Sequence, residues 1–251
     1  TILLLAVSKP HRSPIMQSKS ILALAILLLA CAPTQAAEEA ASLDLSGVTQ
    51  VQVSGDASII RLTASPGQTH RASASAVRTG WFGRWWLSSW FYEDCRSQTR
   101  MWLDGDKLML DAGSAWSFGP GECRVEFTAD LPSDVSVTID QQASDIHLSG
   151  AFASVHLAGQ AADLSFSGTA SSMELRARAL RANLVFNPSA APTTTLLDSD
   201  ALDLSVRYTN ATSIHYEVRA SAALVDSSRP DVPDAATRLL VTANYVRATI
   251  R

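Results

Sequence analysis

This 251-residue sequence predicts an all-β fold, a right-handed parallel β-helix or β-roll-like solenoid. Three observations carry the expectation. Apolar or small side chains recur every nine residues at Val137/Ile139, Ile146/Leu148, Val155/Leu157, Leu164/Phe166, Met173/Leu175 and Ala182/Leu184. A fixed short period marks units that stack only on their neighbours. Within each unit the apolar pair is spaced by two. That spacing puts both on one strand face and turns the residue between them, such as His147 or His156, outward. Gly150, Gly159 and Gly168 follow at the same interval, where a turn can adopt positive φ without a Cβ clash. A strand of about five residues and a turn of about four fill such a unit. Nine residues are too few to circle a wide cylinder, so two units make one coil of 18, and Asp145/Asp163 and Ser154/Ser172 recur at that step. The coil stacks Ile146 on Leu164, Leu148 on Phe166, Val155 on Met173 and Leu157 on Leu175. A slip of one residue would turn all of them into water.

The elements follow in order. Residues 1–15 read as upstream translation, with Met16-Gln-Ser-Lys19 opening a signal peptide over 16–36. Its apolar core, Ile21 to Ala30, is too short to span a bilayer. Two cleavages compete. Leu28-Leu-Ala-Cys31 resembles a lipobox, which would acylate Cys31, and Thr34-Gln-Ala36 resembles an ordinary small-x-small site. Residues 37–44 form an Ala/Glu linker, and 45–251 form a single domain with a less regular amino-terminal β region. Val48 to Gly55 alternates between glycine turns. Ile59–Thr63 and Arg71–Val77 read as strands. Leu103 to Leu110 is a hairpin about the turn residues Asp104-Gly105-Asp106. Arg124 to Leu131 is a strand ended by Pro132. The nine-residue array then runs to Phe186. Met173 to Leu184 also contains strong helix formers, but its alternation favours strand. A Pro/Ala/Thr loop over 188–195 interrupts the array. Leu202/Leu204/Val206, Ile214/Tyr216/Val218 and Ala223/Val225 resume it. Beyond the Arg229–Pro233 loop, Leu239/Val241 and Ala248/Ile250 are again nine apart.

Gly47-Val48-x-x-Val51-x-Val53-x-Gly55, the Asp-Gly-Asp hairpin, the Asp130-Leu-Pro strand end and the later ladder carry a resemblance. Over residues 44–251 the chain resembles the bacterial envelope families of auto-transporter adhesin or head-GIN-domain proteins. The resemblance implies an exported β-solenoid-like protein. It brings no catalytic residues, and the recurrent Ser-Gly-Asp turn of those families stands here as Ala143-Ser-Asp145 and Ala161-Ala-Asp163.

Composition narrows the classes. Beyond residue 36 there are 17 basic against 24 acidic residues, which argues against nucleic-acid binding. An exported protein meets an oxidising compartment, so Cys95 and Cys123 are expected to form a disulfide worth about 3.5 kcal/mol on a chain-entropy basis. Two buried free thiols are the alternative.

The second distinctive segment carries Trp81, Trp85, Trp86, Trp90, Phe91 and Tyr92. Open solenoids need their ends covered, so an end cap is the leading reading. A partner-protein contact, a membrane-interface contact and a sugar-stacking platform remain alternatives. His147 and His156 read as exposed strand residues, because zinc needs three or four convergent ligands. Asp145 and Asp163 resemble a glycosidase carboxylate pair, but turn capping explains them better. Asp198, Asp200 and Asp203 form an acidic cluster, with a weak cation site as the alternative. Arg176, Arg178 and Arg181 form a basic stripe, read as a solvated face. Asn210-Ala-Thr212 is a glycosylation sequon, discounted behind a bacterial leader. Nucleophile elbow, P-loop and HExxH motifs are absent. No catalytic residue, cofactor or metal is expected.

The expectation is a non-enzymatic binding or scaffold module of the cell envelope, periplasmic or tethered to the outer membrane. Its partner would be an envelope protein or a surface glycan. A polysaccharide-active β-helix enzyme and an envelope-stress accessory acting through a membrane partner are the alternatives.

Overall fold

Every backbone N–H and C=O in an alternating apolar sequence needs a partner, and side-by-side strands supply one without breaking the alternation. The computed structural model describes residues 43–67, 69–79, 99–114, 122–187, 193–209 and 213–251. Among the described residues there is no helix, and ten strands form one sheet. They are β1 (Gln50–Ser54), β2 (Ala57–Ala64), β3 (Arg71–Thr79), β4 (Arg100–Asp104), β5 (Lys107–Asp111), β6 (Glu122–Leu131), β7 (Val135–Phe186), β8 (Thr194–Tyr208), β9 (Ile214–Ser227) and β10 (Thr237–Ile250).

β7 holds 52 residues. Drawn out straight it would exceed roughly 170 Å at about 3.3 Å per residue. Instead it passes over itself. A Cβ added at Gly168 would lie 1.8 Å from the Gly150 carbonyl oxygen, and one added at Gly159 would lie 2.4 Å from that of Gln141. Both contacts span the 18-residue step that the sequence pattern predicts. Three passes of β7 result. The first pairs in parallel with β1 and β2 (Val51↔Val137, Ile60↔Ile146), and the third with β8 (Leu175↔Leu197). The segment from Met173 to Leu184 is strand throughout.

Chain order and stacking order part company at both ends. β1 and β2 lie inside β5 and β6, which carry β4 and β3 antiparallel beyond them. β10 inserts between β8 and β9 (Val241↔Leu197 and Val241↔Val218). The last strand in sequence is therefore not the last rung. β9 is, and among the described strands its neighbour is β10. Leu103 to Leu110 forms the expected hairpin, with Gly105 at φ 62°.

The inward residues of successive passes share one core. Ile146, Leu157, Leu164 and Leu175 are fully buried, and Leu148, Val155, Phe166 and Met173 nearly so. An aromatic column crosses the rungs from Phe152 to Phe166 (6.3 Å), Phe186 (5.3 Å) and Tyr208 (5.2 Å, stacked). Arg229 closes it. Its guanidinium sits 5.8 Å from the Tyr208 ring centre and donates to the Tyr208 carbonyl.

Gly150 and Gly168 stand where the chain turns, as expected: both have positive φ, and Gly150 pairs with Ala64, the last residue of β2. Neighbouring passes there also leave no room for a side chain, and Gly150 would place a Cβ 1.9 Å from the Ala64 oxygen. One expectation needs correction. Asp145 and Asp163 are not turn caps. Both are mid-strand and turned partly to solvent, because the alternation that buries Ile146 and Leu164 places them on the opposite face.

Candidate functional site

The inward alternation skips a beat at two corners of each pass, and one of these corners builds a surface. Val137, Ile139 and Gln141 point in, then two residues are exposed, then Ser144, Ile146 and Leu148 point in. The same two-residue corner recurs at Gln160-Ala161, Arg178-Ala179, Asp200-Ala201, Ser221-Ala222 and Asn244-Tyr245. Five of these six corners, counting Gln142-Ala143, end in alanine.

Stacking turns those corners into a groove of about 1270 Å³. Three rows line it. One is the alanine row, Ala57, Ala143, Ala161, Ala179, Ala201 and Ala222, with Tyr245 in the β10 position. The next is buried and includes Ser58, Ser144, Ala162, Leu180, Leu202 and Val246. The third is charged along most of its length: Asp145, Asp163, Arg181, Asp203 and Arg247 in register, with Arg124 at the β6 end. The groove touches β6, β2, three passes of β7, β8, β10 and β9. Eight rungs at about 4.8 Å give a length of roughly 34 Å.

Its electrostatics are balanced, with three aspartates and three arginines along the lining. Arg181 donates to Asp163 (3.1 Å), and Asp145 lies 3.2 Å from His147. Near one end Gln141, almost fully buried, accepts from Ser58 (2.9 Å) and donates to the Ser54 carbonyl (3.0 Å). Ser144, on the next position of the buried row, leaves its Oγ without a hydrogen-bond partner. At the other end Tyr245 and Leu224 are 67 % and 65 % exposed.

The acidic cluster and the basic stripe turn out to be one feature. Arg176 and Arg181 of β7 stand opposite Asp198 and Asp203 of β8, and Arg178 donates to Asp200 (3.4 Å). Asp200 also accepts from Asn244 (3.0 Å). The aspartates are thus spread among cations rather than gathered about a cation site. Arg-x-Arg-x-x-Arg and Asp-x-Asp-x-x-Asp share their spacing 22 residues apart, and that match was the signal sequence reasoning missed. His156 lies 3.3 Å from Glu174, on a different side from His147. Among the described residues no three His, Cys, Asp or Glu side chains group as a metal site.

The groove itself was not anticipated, although alanines at 143, 161 and 179 repeat at the predicted step. Cys31, Cys95, the sequon at 210–212 and the aromatic segment Trp81, Trp85, Trp86, Trp90, Phe91 and Tyr92 lie outside the described residues. Of the expected disulfide, the backbone of Cys123 is placed, opposite Arg78 in the β3–β6 pair.

No protein-family model matches the chain, and no curated protein matches it. Among solved structures, one from Clostridium sporogenes described as a "putative cell adhesion protein" aligns at 9 % identity with a TM-score of 0.37. It covers 82 % of this chain and 92 % of that one. A "putative adhesin" from Bacteroides fragilis aligns at 11 % identity with a TM-score of 0.45, covering 83 % and 95 %.

Proposed function

We propose that this protein is an exported, non-enzymatic binding module of the bacterial envelope, adhesin-like in the manner of head-GIN-domain proteins, and that the alanine-lined groove is its contact surface. The observation that carries this reading is the groove's continuity across eight rungs. A scaffold of parallel rungs holds such a surface rigid, and rigidity lowers the entropy lost on binding an extended partner. The ladder is read as a right-handed parallel solenoid, supported by the 18-residue self-stacking of β7 and by the general right-handedness of parallel crossovers. Export rests on the apolar leader Ile21–Ala30, with soluble periplasmic and Cys31-lipidated forms both open.

The test is binding of the purified protein to intact cells of a bacterial panel that includes the source strain. The paired variant Ala161→Arg/Ala201→Glu fills the groove without changing net charge. It should lose most of the bound signal, whereas His156→Ala should retain it. Equal binding by all three proteins would remove the groove from the function.

A polysaccharide-active enzyme is the second reading, favoured by one observation: Asp145 and Asp163 are neighbours across one rung on the groove rim. Their engagement with His147 and Arg181 weighs against it. Release of reducing ends from a polysaccharide, abolished by Asp163→Asn, would establish it.

A further inference from the structure

We propose that the open end of the stack pairs with the same end of a second copy of this chain, β9 against β9, an inference independent of the binding reading above. A solenoid needs its terminal rungs covered. At one end the antiparallel strands β3 and β4 lie beyond β6 and β5. At the other end β9 is the last described rung. The loop that follows it shields only the start of its edge, where Val232 donates to the Ile214 carbonyl (2.9 Å) and Asp231 accepts from the Tyr216 amide (3.0 Å).

Past the corner at Ser221-Ala222 the core itself reaches the surface. Ala223 and Val225 continue the inward row of Val246 and Ala248. Those two are buried, whereas Val225 is 38 % exposed. Leu224 and Tyr245 are the most exposed large hydrophobic residues among those described, and both stand at this end, Tyr245 beside Ala222. Backbone direction agrees. Successive residues of a strand bond to opposite sides. Ser228 donates to the Ile250 carbonyl of β10 (3.0 Å), so Ala222, Leu224 and Asp226 face β10, and Ala223 and Val225 turn their N–H and C=O groups to the open edge. The stretch Ala222–Val225 has neither a charge nor a proline, the usual guards of an edge.

Register names the occupant. A twofold axis sets β9 antiparallel to its copy. Centred on Asp226, the pairing opposes two carboxylates. Centred on Val225, it opposes Leu224 to Asp226. Centred on Ala223, it carries Val225 past the corner to Ser221. Centred on Leu224, it opposes no like charges. Leu224 then meets Leu224 of the second copy as a non-hydrogen-bonded pair, the closer kind. Ala223 meets Val225, which closes the inward row, and their backbone groups exchange hydrogen bonds across the joint. Asp226 meets Ala222 and keeps its own partner, Arg251. The joint also closes the end of the groove that Ala222, Leu224 and Tyr245 line. So short a joint buries less than the roughly 1,200–2,000 Å² of a standard interface, which makes the dimer reversible.

Sedimentation equilibrium of the purified protein tests the assignment. The wild type should pass from monomer at about 1 µM toward dimer at about 500 µM. Leu224→Lys opposes two ammonium groups and should weaken the dimer about tenfold or more. Its melting temperature should be unchanged, since the side chain is largely in solvent. Leu224→Cys should give a disulfide-linked dimer on mild oxidation, because Cα atoms about 4.5 Å apart in such a pair lie within bridging range. Asp226→Cys should not, nor should the wild type with its own three cysteines. Ala161→Arg/Ala201→Glu should dimerise like the wild type, which separates the joint from the groove. A monomer at every concentration, or a dimer that Leu224→Lys leaves unchanged, would overturn the joint. A dimer tightened by Leu224→Lys, whose ammonium would then face Asp226, would overturn the register. A monomer whose binding to cells is lost with Leu224→Lys would give this edge to a strand of another protein, and the second copy falls.

Discussion

Gly168 shows how little freedom single positions have where passes touch. Gly168→Ala would drive a methyl into the Gly150 carbonyl, so a loss of about 2–4 kcal/mol is expected in urea denaturation. Gly67→Ala meets open space at φ 79° and should cost only about 1 kcal/mol. Phe166→Asp should abolish folding, because it buries a carboxylate in the aromatic column. His156→Asp, on the outer face, should shift the urea midpoint little. Equal effects from the two would overturn the inward and outward assignment. Tyr208 makes the pH-dependent case. Burial pushes its phenol up to about 12, against an opposing pull from Arg229, and its hydroxyl has no partner. The folded state therefore favours the neutral phenol. Below pH 10 neither state is ionised and stability is unaffected. Between about 10 and 12 the unfolded chain alone loses the proton, and stability should fall by roughly 2–3 kcal/mol. Tyr208→Phe should remove that alkaline loss and be neutral or stabilising at pH 7, as read by unfolding at both pH values. Inward positions such as Phe166 were legible beforehand, since period-two alternation alone decides them. The tight approach at Gly168 was not, because it depends on a carbonyl 18 residues away.

At the scale of elements, the β7–β8 pair is a ladder of opposite charges. Arg181 stands between Asp163 and Asp203. Arg181→Asp would set four carboxylates in a row, with Asp145, Asp163 and Asp203, and should destabilise modestly, by about 0.5–1 kcal/mol at low salt. Adding Asp203→Arg should restore most of that loss, and high salt should erase the difference. A denaturation series in salt reads both. The loop before β10 is secured differently. Asp231 accepts from the Tyr216 amide (3.0 Å) and lies 2.9 Å from His215 Nδ1. Those bonds hold its carboxyl below the usual carboxylate range, the backbone bond foremost. The contact is therefore complete above the ordinary value and lost as pH falls through the depressed one. Exchange of the Tyr216 amide should stay slow to below pH 4 and then accelerate, and Asp231→Ala should make it fast throughout. The strands themselves could be read from alternation. Their charge matching could have been read from the common Arg and Asp spacing, but only after knowing that a 22-residue step, not 18, joins these two passes across the 188–195 loop.

Across the whole molecule, the stacking order decides which parts depend on which. β10 comes last in the chain yet lies between β8 and β9. Truncation after Ala236 should therefore do more than shorten the stack. It should strip β9 of its pairing neighbour, and amide exchange should show 214–227 unprotected along with the outer edge of β8. If β9 kept its protection, the insertion of β10 would be wrong. The groove is likewise a property of the stack, since each rung contributes only three or so residues to it.

The sequence by itself determined the strand class, the inward rows and the 18-residue step. Those follow from local alternation and from the cost of turning apolar side chains to water, both of which act at every position. Tertiary structure alone decided the threading of β10 between β8 and β9, the placing of β1 and β2 inside β5 and β6, and the existence of the groove. Pairing partners in a parallel sheet are chosen among many rungs of similar pattern, and nothing in one strand's alternation names its neighbour. An exposed alanine at a corner has no meaning alone. It becomes the floor of a surface when five more stand above and below it.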